Sequence, residues 1–161
     1  MRKLTHALLC LLTATALATP LKVTDAQRVG NLRLGLEASQ LAPLLGKPTK
    51  EGKSVEEGAT GLTVKDQTFA KQGVVVTLSR EKKATVWRVE RFKVAAPCTW
   101  KTPQGIGVGS TDQAVRKAYS QLLDTESPSA GQLVVGSVYD GVIFHMKKGR
   151  VDSIFVGAAA E

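Results

Sequence analysis

The chain repeats one short pattern at a spacing of 74 residues. Leu34-Gly35 is matched by Val108-Gly109, and Leu41, Leu44 and Leu45 are matched by Val115, Ala118 and Tyr119. In each copy the marked positions fall at i, i+3 and i+4, one face of a helix. Strand signals follow in both halves: Gly73-Val74-Val75-Val76 in the first, Gly141-Val142-Ile143-Phe144 in the second. Each then turns through basic residues, Ser79-Arg80-Glu81-Lys82-Lys83 and Lys147-Lys148-Gly149-Arg150, into another apolar strand. One helix with three strands buries too little alone, so the order predicts a shared core. The expected fold class is α+β: two tandem helix-plus-antiparallel-sheet units, 31–96 and 97–161, sharing one curved sheet with short helices on one face.

Local signals place the elements. Gly46 and Pro48 stop the first helix. Thr49 to Gly61 is polar. Strands are expected over Leu62–Val64, Gly73–Leu78 and Thr85–Glu90, where β-branched and aromatic residues gather. In the second unit Thr111 is placed to cap a helix carrying Val115, Ala118, Tyr119 and Leu122, with Asp112 in its first turn. A loop over Ser127–Gly131 leads to strands at Gln132–Val138, Gly141–Met146 and Val151–Val156.

The start of the chain reads as a targeting segment, 1–18. Arg2 and Lys3 precede Leu4 to Leu17, an apolar or small run without acidic residues. Ala16-Leu17-Ala18 is a small-x-small cleavage site, the layout of a secretory signal peptide. A run of about 14 residues is too short to span a bilayer, which takes roughly 20. Residues 19–30 are expected to be a flexible lead-in. Cleavage lowers the net charge from +8 to +6 and leaves one Cys, Cys98, and one His, His145. A lone thiol makes no internal disulfide. No further long apolar run follows, so the mature chain is expected to lack a transmembrane segment. At 43% apolar residues, wholesale disorder is excluded.

Leu32-x-Leu34-Gly35, a short helix, then Leu45-Gly46-Lys47-Pro48 resembles the opening of the SmpA/OmlA (BamE-type) outer-membrane assembly lipoproteins. A doubled unit of this kind resembles the β-lactamase-inhibitory-protein architecture. The resemblance implies a curved sheet backed by helices, and an exported, non-enzymatic role in binding other proteins. This chain departs from both groups. Pro43 sits inside the first helix and requires it to be very short or kinked. Ser120-Gln121-Leu122 stands where Gly-Lys-Pro would repeat. The lipid-anchoring Cys and the internal disulfides are missing, so no binding residue is carried over.

Chemistry-bearing clusters are scarce. His145 alternates with Ile143 on one strand face, opposite Val142, Phe144 and Met146. Cys98 and His145 lack the flanking signature of a thiol dyad. No ligand cluster indicates a metal, and no cofactor is expected. Gly105-Ile106-Gly107-Val108-Gly109-Ser110-Thr111 lacks the Lys of a phosphate loop and the third Gly of a dinucleotide fingerprint, and reads as a close backbone approach before a helix. The expected function is an exported, non-enzymatic binding or structural module of the bacterial cell envelope. The rival is a small secreted hydrolase or thiol enzyme using Cys98.

Basic residues group at Arg80, Lys82 and Lys83, at Arg88, Arg91 and Lys93, and at Lys147, Lys148 and Arg150. Two groups occupy equivalent turns, expected on one edge. They serve solubility and strand-end protection, or they face an acidic envelope protein or an anionic envelope surface. Few aromatics argue against nucleic acid. Around Glu90 the apolar phase reverses, which predicts a bulge. A partner site is expected at Trp87, Arg88, Arg91 and Phe92, with Tyr139 from the second unit; alternatively Trp87 and Phe92 belong to the core.

Overall fold

In a computed structural model that describes residues 20–125 and 130–159, the strand patterns join into one eight-stranded antiparallel sheet. The expected targeting segment, 1–18, lies outside the described residues. Helix α1 spans Val23–Ala26 and is followed by a small hairpin of β1, Arg28–Val29, and β2, Leu32–Arg33. A 3-10 turn at Ala38–Gln40 leads into α2, Leu41–Leu45. Strands β3, Lys50–Glu51, and β4, Val55–Glu56, both pair with β5, Thr63–Phe69. Then come β6, Val74–Arg80, and β7, Arg88–Ala95. Helix α3, Asp112–Ala118, precedes β8, Gln132–Gly136, β9, Gly141–Lys147, and β10, Arg150–Gly157. The spatial order is β3-β5-β6-β7-β10-β9-β8. The middle of the sheet is therefore the antiparallel pair of β7 and β10, with Ile154 opposite Val94 and Val156 opposite Phe92.

Directly paired residues share a face of a sheet. The register puts Phe69, Val74, Val94, Ile154, Phe144 and Leu133 in one row, and Val76, Phe92, Val156, Val142 and Val135 in the next. Ala26 of α1, Leu41 and Leu45 of α2, and Val115 of α3 join these rows in a single buried cluster. All three helices thus cover the same face. Each large side chain removed from water here contributes about 1.5–3 kcal/mol before entropy is counted. Tyr119, just past α3, is fully buried with its ring centroid 5.4 Å from that of Phe144.

Several expectations change on this frame. Residues 19–30 are not a loose lead-in where described: Ala26 and Val29 are completely buried, because α1 and the β1–β2 hairpin complete the core. The two basic turns do not share an edge. Since β7 and β10 run antiparallel, the β6–β7 turn and the β9–β10 turn stand at opposite ends of the sheet. Pro43 is the third residue of the five-residue α2, within the first turn, where a missing N–H removes no helical bond. The helix is accordingly very short. At Thr111 the cap forms as its sequence suggests, the hydroxyl oxygen accepting from Ala114 N–H. The preceding glycine run packs closely: a Cβ at Gly107 would lie 2.8 Å from the Trp100 carbonyl oxygen.

Candidate binding surface on the second sheet face

The other face is built from the alternate strand positions. Thr68, Val75, Lys93, Phe155, Ile143 and Val134 form one cross-strand row. Each apolar member stands in a run such as Val74-Val75-Val76 or Ile154-Phe155-Val156, where period two sends the middle residue away from the helices. Exposure grades along the row. Val75 is 37% exposed and Lys93 is exposed, Phe155 is half-buried, and Ile143 and Val134 are only 4% exposed. Among the described residues Lys93 has no ion-pair partner.

A polar network borders this row. Thr77 donates from its hydroxyl to Asp66 Oδ1 at 2.7 Å, and Ser79 to Glu90 Oε2 at 2.7 Å. The register of β6 against β7 shifts between Thr77 and Leu78, so Glu90 is the extra residue of a bulge, where the sequence phase reverses. The bulge brings Glu90 and Arg91 toward one face. Arg91 pairs with Glu57 at 3.1 Å, with side chains 24% and 11% exposed. On the other side lies His145, paired with Ser153. Burial lowers its pKa, the nearby Lys93 charge lowers it further, and Asp152 opposes both.

The residues singled out from sequence do not converge on one patch. Phe92 is 1% exposed and belongs to the helix-covered core, so it is removed from any docking set. Trp87 packs against that same core. Two cations approach its ring, Lys65 Nζ at 4.7 Å and Arg80 Cζ at 4.8 Å from the centroid. Arg88 is occupied internally, donating to the Gly35 carbonyl oxygen at 3.2 Å and pairing with Glu37 at 3.0 Å. Arg91 holds Glu57. Tyr139 is 69% exposed in the β8–β9 turn, at the same end of the sheet as Trp87 but two strands away. Missed from sequence were Val75 and Phe155; Lys93 stood there only in the basic group with Arg88 and Arg91. The signal for Val75 and Phe155 was present in the uninterrupted apolar runs, each of which must turn one apolar residue outward.

Cys98 is buried, and burial raises its thiol pKa above the ordinary value. A thiol so held is a poorer source of thiolate. Among the described residues no group of three His, Cys, Asp or Glu side chains is placed to hold a metal ion, and no helix is long and apolar enough to cross a membrane. Comparison with protein-family models, with curated proteins and with solved structures gives no match.

Proposed function

We propose that the protein is an exported, non-enzymatic binding module of the bacterial cell envelope, built of two tandem units and acting through protein–protein contacts on the second sheet face. The observation that carries this is the Val75–Lys93–Phe155 row: apolar side chains flanking an unpaired cation at the middle of a sheet whose opposite face is filled by helices. An apolar rim around one charge suits a partner that presents a carboxylate among apolar groups. The positive net charge favours such an acidic partner. The tandem reading is supported by two three-strand meanders, β5-β6-β7 and β8-β9-β10, joined at β7 and β10.

The test is capture from envelope extract, followed by rebinding of the purified partner. Lys93→Glu combined with Val75→Asp changes only solvent-facing groups. It is expected to lose the partner while Cys98→Ser keeps it. Equal rebinding by the Lys93/Val75 variant and the unaltered protein, both folded, overturns the surface. Loss of an activity on Cys98→Ser overturns the non-enzymatic role.

A further inference from the structure

Seven arginines lie in the described residues, and five are engaged internally. Arg80 donates to the Ala84 carbonyl oxygen and stacks on Trp87; Arg88 holds Gly35 and Glu37; Arg91 holds Glu57. Arg116 pairs with Asp112, and Arg150 donates to the Gly109 carbonyl oxygen. The two without such a contact among the described residues are Arg28 and Arg33, and they face each other. In the β1–β2 hairpin Arg28 is directly opposite Arg33, and Val29 is opposite Leu32. Val29 and Leu32 are fully buried, and both arginines are exposed on the outer side. Like charges directly opposite on a strand pair repel and destabilise it. A dianion between them reverses the sign of that interaction.

The surroundings supply further donors. Arg28 and Arg33 line one shallow pocket together with Thr24, Asp25, Gln27 and Gln104. The Gln104 side-chain oxygen already accepts from the Tyr119 hydroxyl at 2.9 Å, so its remaining hydrogen-bonding end is the NH2 donor. The Tyr119 hydroxyl also lies 2.7 Å from the Thr102 hydroxyl oxygen, which accepts from Ile106 N–H. Asp25 is the acidic member of the pocket. Its Oδ2 accepts from Lys22 N–H at 3.0 Å, which directs part of that charge to the start of α1.

We propose that Arg28 and Arg33, with the Gln104 amide, form a binding site for a phosphoryl group. Two guanidinium forks and an amide donor match the several acceptor oxygens of a phosphate better than the two of a carboxylate. The site lies on the helix side of the molecule, away from the Lys93 row, because Val29 and Leu32 anchor the hairpin in the helix-side core. Its ligand is therefore separate from the protein partner proposed above. The phosphoryl group comes from a free phosphate compound or from a lipid headgroup.

The experiment uses the full chain with two probes. Inorganic phosphate is titrated against chloride at equal ionic strength while the arginine side-chain N–H resonances are followed. Phosphatidylcholine vesicles, with and without phosphatidic acid, are used in flotation. Saturable phosphate-dependent shifts at Arg28 and Arg33 are expected, with affinity at least about tenfold weaker in Arg28→Ala plus Arg33→Ala. Flotation only with phosphatidic acid, lost in the same variant, supports the lipid source; phosphate binding without flotation supports the soluble one. Lys147→Ala plus Lys148→Ala removes two exposed charges elsewhere and is expected to keep binding. Equal binding by the arginine variant and the unaltered protein in both arms overturns the site. So does an equal loss in the lysine variant, which would make the effect one of net charge alone.

Discussion

Arg150 reaches the carbonyl oxygen of Gly109 at 2.9 Å, across the start of β10. Gly109 sits at a φ of +87° and donates its own N–H to the Val151 carbonyl oxygen. The same arrangement occurs in the first half, where Arg88 donates to Gly35 and Gly35 N–H to Val89, with Gly35 at a φ of +73°. A glycine in the left-handed region and an arginine at the start of the last strand of each meander, β7 or β10, together pin each loop to the sheet.

Alanine at Gly35 or Gly109 meets no atom within 4 Å, so only the backbone conformation is penalised. Each substitution is expected to cost about 1–2 kcal/mol in urea unfolding. Gly73→Ala is different. A Cβ there would lie 2.2 Å from the Ala95 carbonyl oxygen, at a φ of +66°, so its loss of stability is expected to exceed both of the others. Equal midpoints for the three variants would contradict this account.

Tyr119 is buried beside Phe144, and burial pushes its hydroxyl pKa up to about 12, against a smaller opposing effect of Thr102. The folded pKa lies above the unfolded one. The stabilising contribution is therefore complete below about pH 10 and is lost as pH rises toward about 12. Tyr119→Phe leaves the Gln104 oxygen without its donor and is expected to cost about 1–2 kcal/mol at neutral pH. Ultraviolet titration of both proteins checks the pKa, since the late phenolate signal should vanish in the variant.

His145 carries the opposite sign. Burial and Lys93 hold its pKa below the usual 6.5, so the folded protein resists protonation more than the unfolded chain. Stability is present above the unfolded pKa and falls as pH drops through 6.5 toward the lower folded value. Thermal unfolding between about pH 7 and 5 should show this decline, reduced in His145→Gln. An unchanged pH slope in the variant would assign the decline to other groups.

Cys98 is expected to react slowly with iodoacetamide while the protein is folded and quickly once urea unfolds it, because burial both shields the sulfur and raises the thiol pKa. Mass spectrometry over time reads the two rates. Fast labelling of the native protein would return the thiol to consideration as a reactive group.

Period-two alternation made much of the sheet readable. Val142 and Phe144 against Ile143 and His145 sort onto the two faces as their spacing implies. The bulge at Glu90 was visible because Arg91 and Phe92 break that alternation. Other features left no such trace. β3 and β4 are two-residue exposed ladders in a polar stretch, held by β5 rather than by any apolar pattern of their own. The start of β7 moved from Thr85 to Arg88, since Trp87 gives its carbonyl to Ala38 N–H instead of to a full ladder. Residues 20–30 looked polar overall, and only Ala26 and Val29 carry their burial. Val75 and Phe155 were legible as outward members of their apolar runs, but their assembly with Lys93 into one row was not, because it joins strands far apart in sequence.

The pairing of β7 with β10 also bears on how the chain acquires its structure during synthesis. The strand beside the first meander is the last strand described, so β7 keeps an unpaired edge until residues 150–157 have emerged. Contacts of such sequence separation form slowly, because the intervening chain must close on itself first. In a nascent chain the sheet is therefore completed at its centre only when the last described strand is available, whatever the earlier hairpins have already formed.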